Sequence, residues 1–189
     1  RGSELSVHFN WIANQTPHRT MTRPQQRVLV DGDIILNELE ASIMGYRAQQ
    51  VRPVAVRTCP QLYVDMLSYH REVYERLLEF MKPGVTLADV VYKTRDLGEK
   101  QAPKSGPLAS AGARMVCHGR GLGDDVPLAT NDEAVDRYGT WQFPENGVFI
   151  IKPNVFVDRI NLGWGDSCRI TANGAVRMGN GEHAMIIAK

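Results

Sequence analysis

The chain has 189 residues, 43% of them hydrophobic, enough for one well-buried core, so a single domain over residues 1–189 is expected. A formal net charge of +1, with acidic and basic residues interspersed, supplies no electrostatic footprint for nucleic acid and no polybasic membrane patch, so the expected partners are small molecules or proteins. Cys59, Cys117 and Cys168 form no C-x-x-C pair, and no apolar run nears the ~20 residues that cross a bilayer; both point to a soluble, cytoplasmic protein without disulfides or structural zinc.

In chain order, VLVDGDIILNELEA (28–41) reads as a strand entered through a turn at Asp31-Gly32. Gly45-Tyr46 punctuates the chain, and RAQQVRPVAVR, with apolar Ala48, Val51 and Val54 among polar residues, reads as a second strand paired with the first in a hairpin. Pro60 opens a helix whose apolar positions Leu62, Met66, Val73, Leu77 and Phe80 recur at helical spacing, and Lys82-Pro83-Gly84 stops it. Thr86 and Asp89 form a capping-box pattern that starts a second helix ending near Gly98. The APKSGPLASAG stretch is a loop that leads to MVCHGRGLGDDVPL. Strands return at 148–157, 167–171 and 175–178, the last two joined by an Ala172-Asn173-Gly174 turn.

His118-Gly119-Arg120-Gly121-Leu122-Gly123 is not a dinucleotide fingerprint, because no strand, glycine loop and helix follow in order, and Asp124 and Asp125 would repel a pyrophosphate. Its meaning comes from its neighbours. TPH (His18), Gly32-Asp33, Gly45-Tyr46 with Arg52 after it, KPGVTLADV, HGRGLG, KPNVFV, WGD and a final T-x-N-G turn follow one another. With these landmarks the chain, from about Trp11 to Met178, resembles the creatinase/aminopeptidase superfamily of methionine aminopeptidase, proline dipeptidase and creatinase. That resemblance implies an α+β pita-bread fold, a curved antiparallel sheet with helices on its outer face and a cleft on its inner face. It also implies that the N-terminal part of the first half is missing, so that a preceding segment, another chain or a homodimer partner is expected to cover an exposed outer face.

In the metallopeptidase members of that superfamily five side chains hold two metal ions, and counting from the landmarks those places fall on Glu38, Gln49, His118, Lys152 and Gly165. Two divalent ions about 3.5–4 Å apart need several anionic oxygens, whereas Gln49 is neutral, Gly165 has no side chain and Lys152 brings a positive charge. No metal and no other cofactor is therefore expected. Creatinase is a metal-free precedent, and the resemblance places its catalytic base on His18; its two guanidinium-gripping glutamates fall on Val51 and Lys152, which argues against creatine as substrate.

The resulting expectation is a metal-independent hydrolase acting on a small amide, amidine or amino-acid-like substrate. His18 is the candidate base, His118 and Lys152 are further catalytic candidates, and Glu38, Gln49, Arg52, Asp124 and Asp125 are candidates for substrate binding. Lys152 either supplies fixed positive charge to a substrate carboxylate or oxyanion, or merely neutralises Glu38 in an old metal site. Asp124 and Asp125 read equally as solvated loop acids. Cys117 lies beside His118 in sequence, but neighbours on a strand point to opposite faces, which argues against a Cys/His dyad. The alternative from another class is a degenerate pita-bread module that binds a peptide or protein; an Xaa-Pro peptidase with a rebuilt metal site is the third.

Overall fold

The computed structural model describes residues 9–14, 26–122, 126–129 and 132–189. His18, Asp124 and Asp125 lie outside them.

The first strands are β1 (Phe9–Asn14), β2 (Ile34–Ile43), β3 (Tyr46–Val51) and β4 (Val54–Val56). The expected hairpin is present: β2 and β3 pair antiparallel from Leu39↔Gln50 to Ile43↔Tyr46, and Met44 and Gly45 turn between them with positive φ. The second expected strand is broken. Arg52-Pro53 separates β3 from β4, and β4 pairs with the start of β2 at Ile34↔Ala55. Proline lacks the N–H that a continuous ladder needs. Asn37 takes up the groups freed at the break, donating to the Arg52 carbonyl and accepting from the Arg52 N–H at 3.4 Å.

Two helices follow, α1 (Gln61–Phe80) and α2 (Leu87–Gln101). Along α1, Tyr63, Met66, Leu67, Tyr69, Val73, Tyr74 and Leu77 recur at helical spacing and are buried. The α2 capping box is complete, with the Thr86 hydroxyl accepting from the Asp89 N–H at 3.1 Å and the Asp89 carboxylate accepting from the Thr86 N–H at 3.0 Å. The helix runs past Gly98 to Gln101. Gly98 is an interior contact point, because a Cβ there would lie 2.5 Å from the Ala113 nitrogen.

The remaining elements are β5 (Gly112–Arg114), β6 (Cys117–Gly119), β7 (Leu128–Ala129), α3 (Asp132–Tyr138), β8 (Val148–Ile151), β9 (Asn154–Val157), β10 (Ile160–Gly163), β11 (Gly165–Thr171), β12 (Gly174–Arg177) and β13 (Ile186–Ala188). The apolar run expected as one strand over 148–157 is two strands in two sheets. Pro153 interrupts the ladder, so β8 joins the large sheet and β9 a smaller one. Lys152 sits at that break.

The large sheet runs β13-β4-β2-β3-β11-β8-β6-β7, with β1 also on β2 and β12 also on β11; β10-β9-β5 forms the second sheet. Among the described residues the strands pair antiparallel except β13 with β4. The α1 helix packs on β9, β10 and β12, and α2 packs on β5, burying Trp164, Tyr63, Tyr74, Met66, Leu77 and Leu87 between the layers. This is the expected α+β arrangement. On the outer face of the β2–β3 hairpin, Leu39, Ala41 and Ile43 and their cross-strand partners Gln50, Ala48 and Tyr46 are exposed. Among the described residues no helix is long and apolar enough to cross a membrane.

Candidate active site

Strand parity builds the site. Side chains alternate across a strand, so Glu38 and Glu40 share the face of β2 opposite Leu39, and Gln49 joins them because it pairs directly with Glu40. The strands beside β3, in order, are β11, β8 and β6, which bring Gly165, Lys152 and His118 to the same region of the sheet. Lys152 follows the last residue of β8, and its N–H donates to the Val116 carbonyl at 3.0 Å, tying the break to the segment just before His118.

The Lys152 ammonium donates to Glu38 Oε1 in an ion pair that is almost wholly buried, with 6% of the lysine side chain and 12% of the glutamate side chain exposed. Gln49 Nε2 donates to the other oxygen, Glu38 Oε2, at 3.4 Å. Burial lowers the Lys152 pKa, against the attraction and hydrogen bond of Glu38, and the positive charge of Arg120 lowers it further. His118 is buried on β6 opposite Ile150, with Nδ1 3.3 Å from the Gly119 carbonyl. Burial pushes the Cys117 thiol up, so a ready thiolate is absent beside His118.

Arg52 is engaged at a separate point. Its guanidinium donates to the Gly165 carbonyl at 2.6 Å, to the Val51 carbonyl at 2.9 Å and to Asp166, and it lies 4.0 Å over the Trp164 ring. Asp166 also accepts from Arg177 Nε at 2.7 Å. The structure thus joins Glu38, Gln49 and Lys152, sets His118 nearby on β6, and holds Arg52 in the Asp166 cluster.

Two residues of the site escaped the sequence reading. Arg120 donates to Gln49 Oε1 at 2.7 Å and pairs with Glu40 Oε2 at 3.0 Å, both acid and base being buried. Glu40 was detectable in principle, since it lies two residues from Glu38 and shares its face. Arg120 was not, because its partners follow from the bridge between Arg47 and Gly121.

The mainly antiparallel sheet that carries these residues, with its helix pair packed behind, defines a pita-bread protein of the creatinase/aminopeptidase superfamily. The sequence profile of metallopeptidase family M24 matches residues 7–177, and the chain belongs to that family. The fold superposes on that of the X-Pro aminopeptidase from Thermotoga maritima MSB8 with a TM-score of 0.75 at 19% identity, covering 99% of this chain and 51% of that one. The prolidase from Pyrococcus horikoshii OT3 gives 0.77 at 19% identity, covering 98% and 51%. For the methionine aminopeptidase from Rickettsia prowazekii the values are 0.67 and 16%, covering 89% and 72%. The chain spans about half the length of the first two proteins. No curated protein matches it.

The family implies a pair of metal ions, and the residues here do not fit one. Lys152 places an ammonium on the carboxylate of Glu38, and Gln49 faces the same carboxylate with its amide nitrogen. At Gly165 no side chain can enter: a Cβ would lie 2.5 Å from both the Ile151 carbonyl oxygen and Lys152 Cβ. Among the described residues no group of three or more His, Cys, Asp and Glu side chains is arranged to hold a metal.

Proposed function

We propose that this chain is a metal-independent hydrolase with the M24 fold, acting on a small amide, amidine or amino-acid-like C–N bond. The observation that carries the reading is the buried Lys152 ammonium held on Glu38 where the family's metal-binding carboxylates would stand. A fixed positive charge in a water-poor site stabilises negative charge that develops during reaction. In this reading His18 takes a proton from water as the water oxygen bonds to the substrate carbon. Lys152 faces the resulting oxyanion, and the C–N bond then breaks as His18 returns the proton to the leaving nitrogen. His118 polarises the substrate carbonyl, Glu38 and Gln49 aim Lys152, and Asp124 and Asp125 complete substrate binding, while Arg52, expected from the sequence to bind substrate, is instead committed to the Val51 and Gly165 carbonyls and Asp166.

The test is a panel of dipeptides, small amides and amidines assayed with protein whose metal content has been measured. Turnover by metal-free protein, lost in Lys152→Met and in His18→Ala, is the expected result. A requirement for about two metal ions per chain would overturn the reading. A second reading, a non-catalytic module that binds a peptide or protein, is favoured by the internal pairing of Lys152 with Glu38. It predicts no turnover on any member of the panel.

A further inference from the structure

The Lys152–Glu38 pair does not stand alone, and what lies behind it bears on how it is held. Gln49 faces Glu38 with its Nε2 at 3.4 Å, and its Oε1 accepts from Arg120 at 2.7 Å. An amide has one donor end and one acceptor end, so a donor on Oε1 settles which end faces the glutamate. The same Arg120 guanidinium pairs with Glu40 at 3.0 Å, and its side chain and that of Glu40 are 2% and 0% exposed. Arg47, on the Glu40 side, lies 3.9 Å from the other carboxylate oxygen. The backbone of Gln49 is fixed as well, its N–H donating to Ser167 Oγ at 2.9 Å and its carbonyl accepting from the same hydroxyl at 3.2 Å. One buried ion pair is therefore linked to a second through a single amide.

We propose that Arg120 is a positioning residue that acts on Lys152 through Gln49 and Glu38. Its guanidinium holds the Gln49 amide in the one orientation that offers Glu38 a donor, and Glu40 holds the guanidinium. Glu38 then presents its remaining oxygen to Lys152 in a fixed direction. One nitrogen of Arg120, Nη2, makes the contacts to both Gln49 and Glu40, and the other, Nη1, donates to the Gly119 carbonyl at 3.0 Å, so the planar guanidinium is anchored at two points while it serves the amide and the carboxylate. This role rests on the functional reading of Lys152 above, but the ion pair itself is measurable without any substrate.

The measurement is the exchange of the Lys152 ammonium protons with water, followed in protein with 15N-labelled lysine and assigned with Lys152→Met. Arg120→Lys keeps the charge and replaces two anchored nitrogens by one on a flexible stem; Gln49→Met removes the link and leaves both ion pairs. In each, with circular dichroism unchanged, exchange is expected to be faster by roughly tenfold, the factor that one hydrogen bond to a charged group is worth. Arg47→Lys, at the partly exposed end, is expected to leave it unchanged. A folded Arg120→Lys with wild-type exchange overturns the proposal. If Arg120→Lys does not fold, Gln49→Met decides, and wild-type exchange there overturns it equally. Because no turnover is read, failure of the relay and failure of the hydrolase reading are separate results.

Discussion

At Lys152 two effects oppose each other: burial disfavours the ammonium, and Glu38 restores it. Such a pair adds little net stability, because the desolvation of both ions cancels most of their attraction, yet removing one member strands the other. Lys152→Met is therefore expected to cost roughly 3–5 kcal/mol in urea denaturation, while the double variant Lys152→Met/Glu38→Leu is expected to return to within about 1 kcal/mol of the parent. A single variant as stable as the parent would mean that Glu38 is not held by the lysine. The positions of Glu38, Gln49 and Lys152 were legible in the sequence because Gly45-Tyr46 and Lys152-Pro153 serve as rulers. What they contact was not. The bond from Arg120 to Gln49 spans residues 71 positions apart and depends on strand register, which single-residue chemistry does not encode.

At the scale of elements, the segment after β12 is tied to α1 by two histidines. His70 Nε2 lies 2.7 Å from the Pro153 carbonyl, which can only accept, so Nε2 carries the proton and Nδ1 accepts from His183 Nε2 at 3.0 Å. His183 in turn stacks on Trp164, with ring centroids 4.0 Å apart, and its carbonyl accepts from Arg71. Burial lowers the His70 pKa to about 4, against the Pro153 hydrogen bond. Burial, then the neighbouring His70, Arg71, Arg177 and Arg52, lowers that of His183 to about 2. Both rings are thus neutral in the folded protein, and the unfolded chain binds more protons below its own value of 6.5. Their contribution is full above pH 6.5 and is lost as pH falls, toward 4 for His70 and on toward about 2 for His183. Urea midpoints are expected to drop over that window, and His70→Gln, less stable at pH 7.5, is expected to show a flatter profile. Equal slopes would remove the pair from the acid response. These histidines had no spacing to single them out, being 113 residues apart, whereas α1 and α2 were legible from local periodicity and a capping box. The split of 148–157 between two sheets was signalled by Pro153, but the apolar run around it outweighed that signal in the reading.

For the whole molecule, side-chain ion pairs join the strands of the site. Lys152–Glu38 links β2 to the end of β8, Arg120–Glu40 links β2 to the end of β6, and Arg52–Asp166 links β3 to β11. A protein whose sheet depended on bound metal at a hundredfold excess over its Kd would lose about 2.7 kcal/mol on chelation. Here dialysis against EDTA is expected to leave the thermal midpoint unchanged. A fall of several degrees would show that the strands are joined by metal after all. The helices pack on the small sheet of β5, β9 and β10 and on β12, and the outer face of the β2–β3 hairpin carries exposed Ile43 and Tyr46. The general architecture and an exposed outer face followed from ordered landmarks; which strands the helices leave uncovered emerged only once each helix was assigned to its strands.

Gly165 gives the cleft a direction in sequence space. Its alpha carbon faces main-chain atoms, with the Ile151 oxygen and Lys152 Cα standing 2.5 and 2.7 Å from where a first side-chain atom would be. Exchanging Lys152 for a carboxylate would thus still leave the place at residue 165 shut, because what closes it is the Ile151–Lys152 main chain and the Cβ of residue 152, which any residue but glycine keeps. Reinstalling a pair of acids would require two hydrogen-bonded strands to part first. At this one place, then, it is the course of the chain rather than the choice of side chain that decides what the site can hold.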